Sequence, residues 1–172
     1  MVVSNFFVAI DALVALFGTD GALVELPALN QFDEDGYVIF DGEPSSEEYP
    51  PNVLIIGWDG DPEGDLKVAD INQDWADAKG SRRRNEQFEI PGCVISKYGE
   101  ADSWKPARDR AKAILADLET KLRNAPELNL PDDSSRQFVI AEYKPTAAYQ
   151  EPFSASGFWF RMQFVVRVST RV

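Results

Sequence analysis

The sequence predicts an α+β fold, a mostly antiparallel sheet with two helices packed on one of its faces. Three stretches carry that expectation: an amphipathic helix near residues 103–124, an alternating strand at Phe158–Val168, and a continuous apolar strand at Val53–Trp58. In the helix, Trp104, Ala107, Ala111, Ile114, Leu115, Leu118 and Leu122 recur three and four residues apart, one apolar stripe on a cylinder. Arg108, Arg110, Lys112, Asp117, Glu119, Lys121 and Arg123 take its other faces. Asp117 with Lys121 and Glu119 with Arg123 stand four apart, acid first, the favourable order. Asp102 or Ser103 is the expected cap, Pro106 falls in the first turn where its missing N–H costs nothing, and Asn124 and Pro126 close the helix.

A first helix is expected over Phe6–Phe17, capped by Ser4 or Asn5 and ended by Gly18. Phe6, Ile10, Leu13 and Phe17 form its stripe, yet Phe7, Val8, Val14 and Leu16 lie outside it. A helix apolar around so much of its circumference is covered on more than one side, either deep in the core or by a neighbouring chain. From Thr19 to Asp35 the periodicity is broken by Gly21, Pro27 and Asn30. Tyr37–Phe40 reads as a short strand ended by Asp41-Gly42, and Glu43–Pro51 as a polar, proline-bearing loop.

Asp59-Gly60-Asp61-Pro62-Glu63-Gly64-Asp65, with Asp70 beyond, spaces oxygen ligands somewhat as a calcium loop does, with glycine at the sixth position. Pro62 interrupts it and its last position is Asp rather than Glu, so it reads first as an acidic surface turn. Asp70–Ser81 is expected to form a long hairpin arm. Arg84–Ile95 alternates Asn85, Gln87 and Glu89 with Phe88, Ile90 and Val94, giving a strand with one wet and one dry face, bent or bulged at Pro91-Gly92. Gln137–Tyr143 is another strand, and Lys144–Ala155 a connection too polar for core. In the final strand Phe158, Phe160, Met162, Phe164, Val166 and Val168 point one way. Trp159, Arg161, Gln163, Val165, Arg167, Ser169 and Arg171 point the other.

The 172 residues form a single domain with a hydrophobic content of 44%, enough for a packed core. A net charge of -12 argues against general binding to nucleic acid or anionic membrane. No histidine is present, so the commonest general base and metal ligand is missing. The single cysteine, Cys93, excludes an intrachain disulfide and reads as a small buried hydrophobe. Phe6–Phe17 is too short to span a bilayer and carries Asp11, so a soluble protein is expected. There is no phosphate-cradling glycine loop, nucleophile elbow or histidine-based triad, and no enzymatic activity or cofactor is expected. Arg82-Arg83-Arg84, a basic cluster in an acidic chain, reads as a contact to an acidic partner or to an acidic patch on another copy, with nucleic-acid phosphate second. The arginine-bearing face of the last strand reads equally as a contact to acidic surfaces or as a solvated sheet face.

Arg84-x-Glu86-x-Phe88-x-Ile90 with Cys93 just beyond, Ala107-Arg108-x-Arg110-Ala111, Leu122-Arg123-x-x-Pro126-x-Leu128 and Phe164-x-Val166-x-Val168 follow one another in an order that resembles the tail terminator (tail-completion) proteins of long-tailed bacteriophages, in particular those of actinobacterial phages and prophages. Asp41-Gly42-x-Pro44 and the Val53–Gly57 strand fit the same pattern, so the resemblance covers roughly residues 38 to 170. The acidic insert from Asp59 to Lys79, and Asn129 in place of glycine, depart from it. The resemblance implies a non-catalytic virion protein that forms a hexameric ring on the tail tube, stops its growth, and meets the major tail tube protein and a neck or head–tail connector protein. DNA would pass through the lumen without specific binding. Glu86 and Arg108, which belong to those motifs, join Arg82, Arg83, Arg84, Arg161, Arg167 and Arg171 as the expected interface. Another neck or tail tube protein is the near alternative, and a calcium-dependent module built on Asp59, Asp61, Glu63, Asp65 and Asp70 the alternative from another class.

Overall fold

A computed structural model describes residues 5–19, 21, 23–25, 36–44, 50–61, 69–75, 84–98, 104–128, 130, 138–152 and 157–171. Its chain order is α1 (Phe6–Phe17), β1 (Leu23–Glu25), β2 (Gly36–Asp41), β3 (Asn52–Ile56), β4 (Asp70–Trp75), β5 (Arg84–Tyr98), α2 (Lys105–Asn124), β6 (Phe138–Pro152) and β7 (Phe158–Arg171). All seven strands join one sheet in the order β1-β2-β3-β5-β7-β6, with β4 paired to β5 beside that path. Only β2 and β3 run parallel; the other pairs are antiparallel. The α+β class expected from the sequence is the class observed.

The sheet is assembled on β5. One edge of β5 pairs with β7 from Asn85↔Arg171 to Tyr98↔Phe158. Its other edge is shared: Arg84–Glu89 face β4, and Gly92–Ser96 face β3. Pro91 stands at the changeover, where its missing N–H breaks no ladder, and its carbonyl accepts the N–H of Gly57 at 2.7 Å. The register with β7 runs through Pro91-Gly92 without a shift, so no bulge forms there and β5 continues to Tyr98. Gly92 is required by packing. A Cβ there would lie 2.6 Å from Cε2 of Phe164 and 2.8 Å from the carbonyl oxygen of Ile55.

Alternation along the strands sends Tyr37, Ile39, Leu54, Ile56, Phe88, Ile90, Val94, Phe160, Phe164, Val166 and Val168 to one face, where both helices cover them. On α2, Ala107, Ala111, Ile114, Leu115, Leu118 and Leu122 are buried as the stripe predicts, and Trp104 stacks on Phe158. Arg110, placed by periodicity on the polar side, is instead buried at 7% exposure beside the stripe. Nor is α2 capped as expected. Trp104 is its N-cap and makes no side-chain cap bond, while Asp102 and Ser103 lie outside the described residues. On α1, Phe6, Ala9, Ile10, Leu13, Val14 and Phe17 are buried, whereas Phe7 and Val8 stay 63% and 37% exposed, so the described residues cover α1 on one side only.

A polar junction ties the two helices to the sheet. Tyr37 of β2, fully buried, donates its hydroxyl to Asp117 Oδ2 at 2.8 Å. Lys121 pairs with Asp117 at 3.0 Å and donates to the Tyr37 hydroxyl at 3.3 Å and to the Phe17 carbonyl at 3.4 Å. The ammonium thus meets the C-terminal, partially negative end of α1.

Two stretches differ from expectation. Within the weak signals of Thr19–Asp35, Leu23–Glu25 forms the short edge strand β1. Lys144–Pro152, expected as a connection, continues β6 alongside β7, with one irregularity between Pro145 and Ala147. Backbone pairing to β7 rather than side-chain burial holds this half of β6 extended, so polar residues are tolerated on it.

Gly92→Ala should cost about 1–3 kcal/mol or more, because the added methyl overpacks Phe164. Urea denaturation tests this, and a loss below about 0.5 kcal/mol would contradict the close approach. A second expectation concerns alkaline pH. Burial and the neighbouring Asp117 push the Tyr37 phenol far above its ordinary 10.0, and burial pushes the Cys93 thiol far above 9.0. Above those ordinary values the native state holds more protons than the unfolded one, so these groups lower stability as pH rises. Lys97, lowered by burial, acts in the opposite sense. The loss between pH about 9 and about 11 should be smaller in Tyr37→Phe than in the native chain; equal slopes would contradict the junction.

Candidate assembly surfaces

The sheet face opposite the helices is divided between a small apolar cluster and a charged field. Val53, Ile55, Cys93, Ile95 and Trp58 form the cluster, with Phe40 and Trp159 packed against it. The wet face expected of Arg84–Ile95 is thus dry at Cys93 and Ile95, where the turn after β3 folds back over the centre of that face. Gly60 in this turn has φ +81°, and a Cβ on it would lie 2.8 Å from Cys93 Sγ. Arg161 donates from Nη1 to the Gly60 carbonyl and holds the turn down. Burial raises the Cys93 thiol's pKa, which suppresses the nucleophilic thiolate and fits the sequence reading of a small hydrophobe.

Around this cluster the outward residues of β5, β7 and β6 stand in register. Arg167 lies opposite Glu89, donating from Nε at 2.9 Å and also from Nη2 to the same carboxylate oxygen. Lys97 sits over the Trp159 ring at 4.4 Å, and the Arg161 guanidinium over the Tyr149 ring at 4.6 Å. Arg161 and Arg167 occupy the predicted face, but both are engaged within the chain.

Glu86 is the residue the structure moves furthest from its expected role. It faces the helices at 1% exposure, which rules out its use as a surface contact. Its carboxylate accepts the Asn5 N–H at 3.0 Å and Gln73 Nε2 at 2.9 Å. Asn5 makes no side-chain cap bond of its own; its Nδ2 donates to Thr170 Oγ1 at 3.4 Å. Glu86 therefore supplies, from β5, the negative charge that the first turn of α1 lacks.

Arg108 is exposed on α2, with Lys112 one turn further along. Arg84 and Arg171 lie in neighbouring registers at one end of β5, through the pairs Trp75↔Arg84 and Asn85↔Arg171. Arg82, Arg83, Glu63 and Asp65 fall outside the described residues. At the acidic turn, the carboxylate Oδ1 of Asp59 accepts the Asp61 N–H at 2.9 Å, and Asp70 begins β4 some residues away. Among the described residues no three His, Cys, Asp or Glu side chains gather to hold a metal ion, and no helix is long and apolar enough to cross a membrane.

Sheet order turns a charge bias of the sequence into geometry. Residues 1–80 contain 17 Asp and Glu against two Lys, a net -15, whereas residues 81–172 contain 12 acidic and 15 basic residues, a net +3. The first half of the chain builds β1–β4 on one side of β5, with α1 over β2 and β3 and its start reaching β5 and β7; the second builds β7 and β6 on the other side, with α2 over β3, β5, β7 and β6. One flank of the sheet thus shows exposed Asp11, Asp41, Glu43, Asp70 and Asp74, and the other a basic excess, with exposed Lys105, Arg108, Lys112, Arg123 and Lys144 against exposed Glu119, Glu127 and Glu142. Reading residues singly hides this polarity; a running charge sum along the chain would have found it. In comparisons with known proteins, no family model and no curated protein sequence matches the chain.

Proposed function

We propose that the chain is a ring-forming structural subunit of a bacteriophage tail, a tail terminator that closes the head-proximal end of the tail tube and joins it to the neck. The observation that carries this reading is the lateral polarity of the sheet. A closed ring of identical subunits needs two unlike patches that meet head to tail, and the acidic β1–β4 flank and the basic α2–β6 flank are such a pair. The order of motifs from Arg84 through Val168 supports the tail terminator assignment among ring proteins. An acidic ring would also repel the DNA passing through its lumen, so that DNA does not adhere to it. The partners of the ring faces are then the tail tube protein on one side and a neck protein on the other.

The joint reversal Arg108→Glu, Lys112→Glu and Lys144→Glu changes exposed side chains only, so the variant should fold. Native mass spectrometry should show the wild-type oligomer at low salt and its loss in the variant, with circular dichroism unchanged. The wild-type oligomer should also weaken as ionic strength rises from about 0.01 to about 1 M and the screening length shrinks from roughly 30 to roughly 3 Å. An oligomer indifferent to both changes would overturn the electrostatic account of the ring.

A further inference from the structure

The two flanks differ in more than charge, because each ends in an extended strand with an unpaired edge among the described residues. β6 is the last strand on the basic side and pairs only with β7. Near its start that outer edge is closed: the Ala141 N–H donates to the Pro126 carbonyl at 2.9 Å, in the turn that follows α2. Beyond the irregularity at Pro145/Ala147 the composition changes. Lys144 and Pro145 stand before it, and Thr146-Ala147-Ala148-Tyr149-Gln150 is an uncharged run on a protein that is 27% charged, with Thr146, Ala148, Tyr149 and Gln150 exposed. Natural edge strands are protected by charges and proline; here these stand at the ends, as Lys144-Pro145 and Glu151-Pro152, and the run between them carries neither.

β4 is the matching element on the acidic side. Among the described residues it pairs with β5 alone, and Asp70, Ile71, Asn72, Gln73 and Asp74 are all exposed. β1, the other strand on that flank, is three residues long and offers little edge. β4 has six residues, the length of Ala147–Pro152 in β6. Pairing in register with β5 puts Asp70, Asn72 and Asp74 on the outer sheet face and Ile71 and Gln73 on the helix face. On β6 the outer face carries Tyr149, with the Arg161 guanidinium over its ring, and the helix face carries Ala148 and Gln150.

We infer that β4 of one copy adds to the open half of β6 in the next, continuing the sheet from subunit to subunit. This rests on the ring reading and specifies its contact. The acidic row of β4 then lies beside the Tyr149–Arg161 pair, and Ile71, 49% exposed in the single chain, is covered by Ala148. Main-chain hydrogen bonds supply the attachment, and the alternating side chains supply register.

The test uses two single-cysteine additions, Ala148→Cys and Ile71→Cys, at exposed positions that share the helix face of the sheet, with circular dichroism to confirm folding. Cys93 is buried, and the native chain serves as the control for it. Treated with a short bis-maleimide at low salt, a mixture of the two variants should give a cross-linked dimer holding one of each. Each variant alone should stay uncross-linked. Self-linking of Ala148→Cys would show that β6 pairs with β6 and overturns the inference. Oligomers by native mass spectrometry without the mixed cross-link would overturn it while leaving the ring reading intact. A strictly monomeric wild-type chain would sink both.

Discussion

The structure depends on the double pairing of β5. A strand that bonds β7 along one edge and hands its other edge from β4 to β3 must be extended throughout, must spare an N–H at the handover, and must be thin where Phe164 crosses it. Pro91 and Gly92 meet the last two demands at adjacent positions. Because β5 is also the point where the chain passes from its first half to its second, this pairing separates the halves in space. The strands before it, β1–β4, lie on one side of β5 and the later strands on the other.

That separation gives local composition a long-range consequence. A chain with the same residues shuffled would have the same net charge and no lateral polarity. Here a flank with exposed Asp41, Glu43, Asp70 and Asp74 and a flank with a slight basic excess end in strands of comparable open length. The helix face is occupied internally: Tyr37, Asp117 and Lys121 join the two helices to the sheet, and Glu86 closes the start of α1. The lateral flanks, rather than the helix layer, are where a neighbour finds unused backbone.

Much of this was legible in the residues. The 3.6-residue stripe from Ala107 to Leu122 and the alternation from Phe158 to Val168 each reflect burial on one side, and burial is what periodicity reports. What escaped was set by tertiary pairing. Lys144–Pro152 is polar and carries prolines, so nothing local marks it as strand; β7 holds it there. Glu86 alternates as a helix-facing residue should, but its place in the motifs of the resemblance put it at the interface, whereas its carboxylate is buried against the amide end of α1. Arg110 sits beside the stripe on α2, near enough that a long side chain is enclosed. On the opposite face, Trp58 and the turn through Gly60 cover Cys93, a contact between segments far apart in sequence.

Electron microscopy of the purified chain in negative stain, at low ionic strength and with tail tubes added in a parallel sample, tests the head-to-tail polarity most directly. The account predicts closed rings with six-fold symmetry, free in the first sample and seated on tube ends in the second. Two-fold dimers, or single subunits in both samples, would contradict it, since neither joins the acidic flank of one copy to the basic flank of the next around a closed circle.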